Sequence, residues 1–141
     1  MSIVQRLLDR LGLAPDTFDD DDVRLAAEQA VVDLLELVML VDGSSAEAER
    51  ELIRQFLDER QWPGGHNPYS YSEEACARAR LALAPGGPLD EFLATVTGRL
   101  ATDDDRAAAY AAVLDLAGVD GELDEREARL LAGLRSRFEA R

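Results

Sequence analysis

Several residue types are scarce in this chain of 141 residues, and each scarcity excludes a kind of protein. Cys76 is the single cysteine, so no disulfide can form within the chain. His66 is the single histidine, which excludes a histidine-rich zinc site. No run of apolar residues is long enough to span a bilayer, so we expect no direct membrane insertion.

Basic residues are also scarce, because lysine is absent and 15 arginines stand against 29 acidic residues, for a net charge of -14. Binding to nucleic acid or to an anionic membrane requires basic side chains that displace the counterions of phosphate. We therefore expect no nucleic-acid partner, and cations or basic proteins fit better. Met1 is not followed by the pattern of a secretory signal, so the expected location is the cytoplasm.

The spacing of apolar residues predicts an all-α fold of about seven helices in a single domain over residues 1–141. A short amphipathic helix is predicted over 3–11, and the long apolar stretch Val23–Val41 predicts a central buried helix. Two prolines, two glycines and an asparagine predict a loop over 61–72. Two shorter helices then precede a final helical hairpin.

An internal repeat organises this pattern. An offset of 78 residues superposes VDGSSAEAERELIRQFL, which begins at Val41, on VDGELDEREARLLAGL, which begins at Val119. The chain is therefore predicted to be a duplicated helical hairpin, with copies at about 22–60 and 104–138 and the two shorter helices inserted between them.

Four acidic residues of the repeat form a candidate metal site. Asp42 and Glu49 are seven residues apart across one turn, as are Asp120 and Glu127 across the other. If each turn brings its aspartate back to the following helix, the duplication clusters four carboxylates, which suit calcium or magnesium better than zinc. The alternative is that both turns only cap helices, as the spacing of Asp124 and Glu127 allows.

A conventional EF-hand does not fit either copy. If Asp120 is position 5 of the loop, positions 1 and 3 fall on Leu116 and Gly118, where oxygen ligands are required. In the first copy the same positions fall on Val38 and Leu40. Any affinity for calcium must therefore come from a different arrangement.

The two segments LVMLVDGSSAEAERELI and LDLAGVDGELDEREARLL resemble the TerB-like family, which includes TerB tellurite-resistance proteins and the amino-terminal domain of DjlA-type co-chaperones. The resemblance covers nearly the whole chain. Its acidic motif residues fall on Asp42, Glu49, Asp120 and Glu127. The sequence departs from the family pattern at Ser45, usually aliphatic, and at Ala46, usually a capping residue.

The resemblance implies a non-enzymatic protein of bacterial stress systems, linked to tellurite or metal resistance, with a protein partner near the membrane. The alternative function is a metal-independent interaction domain, whose acidic surface and aromatic loop, with Trp62, Tyr69 and Tyr71, dock a basic partner. Enzymatic motifs, including a phosphate-binding loop and GxSxG, are absent from the sequence. No catalytic residue is therefore expected.

Two acidic residues interrupt the apolar stretch of the central helix. Asp33 and Glu36 are three residues apart and share a helix face. We expect both at the exposed edge of the helix, because a buried acid must be paired, neutral or bound to a metal.

Overall fold

The structure is a computed structural model that describes residues 16–41, 47–118 and 125–139. These ranges contain six helices and no strand: α1 (Asp16–Val41), α2 (Glu47–Asp58), α3 (Pro68–Leu83), α4 (Leu89–Arg99), α5 (Asp103–Ala117) and α6 (Glu125–Glu139). The predicted all-α class is therefore confirmed. The helix predicted over 3–11 lies outside the described residues.

The long helix α1 is the centre of the molecule. It contacts each of the other five helices, most extensively α3 and α5. Ten consecutive residues, from Ala30 to Met39, are buried, so this part of α1 has core on every side. The apolar stretch predicts this position, since a helix that is hydrophobic all round must be buried all round.

Helix α1 is longer than the apolar stretch Val23–Val41 indicates. It starts at Asp16, so the acidic run of 19–22 lies inside the helix rather than before it.

The outer helices each place an apolar stripe on α1 or on its neighbours. Ile53 and Leu57 are the buried apolar residues of α2, whereas Leu130, Leu131 and Leu134 are those of α6. These are positions that the apolar spacing of the sequence marks as one face. Near the end of α6, Phe138 meets Tyr110 of α5 edge to face, with ring centroids 6.4 Å apart.

The predicted loop over 61–72 ends five residues early, because α3 already begins at Pro68. The Asn67 side chain accepts hydrogen bonds from the backbone N–H groups of Tyr69 (2.8 Å) and Ser70 (3.3 Å). Proline suits the first helical position because its missing N–H would have no partner there. Asn67 and Pro68 therefore start a helix where their composition suggests a loop. The first of the two inserted helices consequently has 16 residues, more than the 12 of α2.

The turn between α3 and α4 requires glycine at two successive positions. Gly86 has φ of +75°, in the left-handed region. A Cβ atom at Gly87 would lie 2.2 Å from the carbonyl oxygen of Leu81, closer than any real contact. This close packing brings α4 back along α3, with Leu93 and Val96 of α4 buried.

No helix within the described ranges is both long and apolar enough to cross a membrane.

Candidate functional site

Glu49 and Glu127, two of the four predicted metal ligands, occupy equivalent places in the structure. Each is the third residue of its helix, α2 or α6, and each is only 2% exposed. The two helices start 78 residues apart, at Glu47 and Glu125, which is the offset of the sequence repeat. Asp42 and Asp120, the other two predicted ligands, lie outside the described residues.

The third position of a helix gives a buried carboxylate a defined electrostatic environment. The first N–H groups of a helix have no partner within the helix, and they stabilise negative charge nearby. A glutamate at this position can bond back to the backbone N–H of the residue that caps its helix. It can also offer oxygen atoms to a cation held by the preceding turn.

The donor chemistry at Glu49 and Glu127 suits a hard cation better than zinc. Both side chains supply carboxylate oxygen, whereas structural zinc sites rely on thiolate and imidazole. Cys76 lies on α3 and His66 in the loop before it, so neither belongs to these helix starts. Within the described ranges, no three His, Cys, Asp or Glu side chains are grouped closely enough to hold a metal ion. A cation site at the repeat would therefore need ligands from the DG turns themselves.

Asp33 is the centre of a polar cluster that the sequence did not predict. Its side chain is completely buried, not exposed at the helix edge as expected. Oδ1 accepts a hydrogen bond from Arg78 Nη2 (2.8 Å), and Oδ2 accepts from the Tyr71 hydroxyl (2.6 Å) and from Arg99 Nη2 (2.5 Å). Arg99 also donates to the Tyr71 hydroxyl (2.9 Å). This arrangement compensates the buried charge and joins α1, α3 and α4.

Tyr71 connects this cluster to the aromatic residues of the predicted loop. Trp62, which is 9% exposed, packs edge to face on Tyr71 with ring centroids 5.7 Å apart. The guanidinium carbon of Arg78 lies 5.0 Å from the centroid of the Tyr71 ring. Burial raises the pKa of the Tyr71 hydroxyl, and its hydrogen bond to Asp33 raises it further. Tyr69 is 45% exposed, so of the three aromatics it alone remains largely open to a partner.

Glu36 is the second buried acid of α1, and it too was wrongly expected at an exposed edge. It is 4% exposed and accepts a hydrogen bond from Ser72 Oγ (2.5 Å). Burial raises the pKa of the Glu36 carboxyl, although bonds from Ser72 and Cys76 and the charge of Arg80 oppose this. Burial also raises the pKa of the half-buried Cys76 thiol, with the nearby Glu36 charge adding to the effect. A raised pKa makes the thiol a poorer nucleophile at neutral pH.

A pattern that could have revealed these buried acids is present in the sequence. Asp33 and Glu36 stand inside an apolar stretch that is too continuous for a surface helix. The partners of Asp33, which are Tyr71, Arg78 and Arg99, lie 38 to 66 residues further along the chain. Ser72, the partner of Glu36, lies 36 residues beyond it. No local pattern links an acid to donors at such separations.

The described residues thus define a class of protein: an all-helical domain in which two helices begin with an equivalent buried glutamate. A family model described as "Tellurite resistance protein TerB" matches residues 28–139. The matched range includes all of α2 to α6, and the chain belongs to the TerB family. No curated protein and no solved structure matches the chain.

Proposed function

We propose that this TerB-family chain is a non-enzymatic binding module of a bacterial stress response, which loads a divalent cation on its two acidic DG turns. The observation that supports the proposal is the equivalent burial of Glu49 and Glu127, each 2% exposed at the third position of its helix. Carboxylates are seldom buried, and a bound cation is one arrangement that compensates their charge.

Calcium or magnesium is the proposed cation, with Asp42 and Asp120 completing the ligand set. The description of the matching family, Tellurite resistance protein TerB, supports a proposed role of the module in tellurite or metal resistance. We propose that the loaded domain acts in the cytoplasm through a protein partner associated with the membrane. The domain itself contributes binding rather than turnover, so no side chain is assigned a catalytic role.

The test is calorimetric titration of chelator-stripped protein with calcium, magnesium, manganese and zinc. The double variant Asp42→Asn, Asp120→Asn removes the proposed ligands. Asp104→Asn, Asp115→Asn is the matched control, because it removes the same charge from exposed positions of α5. We expect micromolar binding of calcium or magnesium that the first variant loses and the control retains. Weak, salt-sensitive association that both variants reduce equally would contradict the proposal.

A second candidate function is a metal-independent interaction domain whose acidic surface docks a basic protein. The net charge of -14 and the exposed acids at the helix starts favour it. For example, Asp90 in the first turn of α4 has a side chain that is 96% exposed. This candidate predicts that a basic partner binds equally well in chelator and in calcium, and that added salt weakens the complex.

A further inference from the structure

A groove with a volume of about 350 Å³ opens between α2 and α3. Both helices pack on α1, but they hardly contact each other, so a gap is left between them. Met39 and Leu40 of α1 line the gap together with Ile53 and Leu57 of α2. The interior of the groove is therefore apolar.

The exposed charged side chains along this groove are mostly basic, whereas those of the molecule as a whole are mostly acidic. Arg50 and Arg54 of α2 and Arg80 of α3 line it, and all three are exposed. Arg54 pairs with Glu51 at 2.7 Å, whereas Arg80 makes no ion pair to any carboxylate in the described part of the chain. Among the described residues that line the groove, Glu73 is the one exposed carboxylate.

The remaining acid among the described residues that line the groove is buried. Glu36 is only 4% exposed and accepts a hydrogen bond from Ser72 Oγ, so it presents little surface to a ligand in the groove. The exposed charged side chains described along the groove are therefore three arginines and one glutamate, in a chain that has about two acids for each arginine.

The length of the groove matches that of a short helix, and its volume of about 350 Å³ can take up the side chains of one apolar stripe. Arg50, Ile53, Arg54 and Leu57 follow the spacing of one helix face on α2. On α3 the lining runs from Tyr69 to Arg80, which is about 16 Å at the helical rise per residue, or roughly three turns. An amphipathic helix laid between two helices buries an apolar stripe and leaves its flanking residues against the rims.

We propose that this arginine-rimmed groove docks an amphipathic helix of a partner protein, with an apolar stripe flanked by aspartate or glutamate. Charge complementarity supports this occupant, because acidic flanks meet Arg80 on one rim and Arg50 and Arg54 on the other. The inference goes beyond the proposed function, since the acidic turns and the acidic surface attract cations and basic partners.

The probe is a fluorescent peptide of about 16 residues, or roughly four helical turns, with a leucine stripe and glutamate flanks. A second peptide carries lysine in place of every glutamate. Binding is followed by fluorescence anisotropy in chelator, which separates this test from any cation site. We expect the acidic peptide to bind at micromolar concentrations and the basic peptide to bind at least tenfold more weakly to the groove.

Variants that replace an arginine with glutamate test whether the acidic peptide binds in the groove. Arg80→Glu and Arg54→Glu are expected to weaken binding of the acidic peptide about tenfold or more, an effect of the size seen at close charge pairs. Arg135→Glu is the matched control, because Arg135 is an exposed arginine on α6 that does not line the groove. Circular dichroism verifies that each variant remains helical. Equal effects of Arg80→Glu and Arg135→Glu would refute the proposal.

The reactivity of the Cys76 thiol provides an independent test of whether the peptide binds in this groove. It is the single cysteine of the chain, and it lines the groove in a half-buried position. Saturating acidic peptide is expected to slow the reaction of Cys76 with a soluble maleimide at least fivefold, a protection that bulk charge effects cannot produce. Two results would overturn the proposal: unchanged thiol reactivity under saturating peptide, or a concentration-dependent dimer in sedimentation that protects Cys76, which would assign the groove to a second copy of the chain.

Discussion

Asp33 is a buried carboxylate whose three donors come from two other helices, so one side chain connects distant parts of the sequence. Its net contribution to stability is a balance between the cost of burying charge and the gain from ideal partners. Removing the acid alone leaves a half-buried Arg99 and the Tyr71 hydroxyl among apolar neighbours. Because buried donors without an acceptor are costly, removing the Asp33 carboxylate should destabilise the fold more than the intact cluster stabilises it.

The variant Asp33→Ala is expected to lower the free energy of unfolding by about 3–5 kcal/mol, the usual cost of breaking a buried pair. Asp33→Asn keeps one acceptor oxygen and should lose less. Urea unfolding measures both effects. Asp115→Ala, an exposed position on α5, is the control. A loss for Asp33→Ala no larger than the loss for this control would show that the cluster is energetically neutral.

Glu36 gives the chain a pH dependence with a defined sign. Below about pH 4.5, the ordinary pKa of a glutamate, both folded and unfolded chains hold the proton. As pH rises from there to the raised pKa of the folded state, the unfolded chain releases its proton first, and stability from this group falls. Glu36→Gln cannot titrate, so its stability relative to the native chain should improve over that window.

Urea unfolding of Glu36→Gln and the native chain from pH 4 to pH 8 checks this dependence. Glutamine keeps the oxygen that accepts from Ser72, so the shape of the site is preserved. Glu74→Gln, at an exposed position of α3, controls for the loss of one carboxylate. A difference between Glu36→Gln and the native chain that stays constant with pH would mean that Glu36 titrates normally.

At the scale of the helix, α3 depends on its first residues. Tyr71 and Ser72 bring their hydroxyls to Asp33 and Glu36 from the second turn, directly after the cap formed by Asn67. The geometry of both buried acids therefore depends on where this helix begins.

The variant Asn67→Ala is expected to cost about 1 kcal/mol in the free energy of unfolding, the usual price of a lost N-cap. Asn67→Asp should retain the native value, because aspartate also accepts the two N–H bonds. Thr102→Ala removes the comparable cap of α5, where Thr102 accepts from Asp105 N at 3.0 Å, and provides the reference loss. If Asn67→Ala costs nothing by urea unfolding, α3 starts independently of its cap.

The same helix shows how far the sequence predicts this fold. Apolar periodicity predicted the all-α class and the central position of α1, because burial follows directly from the spacing of apolar residues. It misplaced the start of α3, since glycine and proline counts outweighed the capping geometry of Asn67 and Pro68. The burial of Asp33 and Glu36 was missed because their donors arrive from other helices. For the candidate metal ligands, the structure gives positions for Glu49 and Glu127.

At the scale of the whole molecule, the charge of -14 acts on every equilibrium of the chain. Like charges repel more in the compact state than in the unfolded one, and dissolved salt screens this repulsion. Sodium chloride should therefore raise the unfolding temperature.

Calcium or magnesium chloride at the same ionic strength should raise the unfolding temperature further if the turns hold a cation. A ligand present at 100 times its Kd adds about 2.7 kcal/mol to the stability of the folded state. Differential scanning calorimetry distinguishes the two contributions. The Asp42→Asn, Asp120→Asn variant should keep the response to sodium and lose the excess response to the divalent ion. If both salts raise the unfolding temperature of the native chain equally, the salts act only by screening charge, and the proposed cation site is contradicted.

The central position of α1 has a consequence for synthesis of the chain. Its ten consecutive buried residues need surfaces supplied by α3, α4 and α5, which are translated later. At 5–20 residues per second, the ribosome needs about 4–15 s to pass from the end of α1 to the end of α5. During that interval the nascent chain exposes the apolar helix α1 without the helices that later bury it. This exposed helix is therefore a substrate for chaperones that bind unfolded chains.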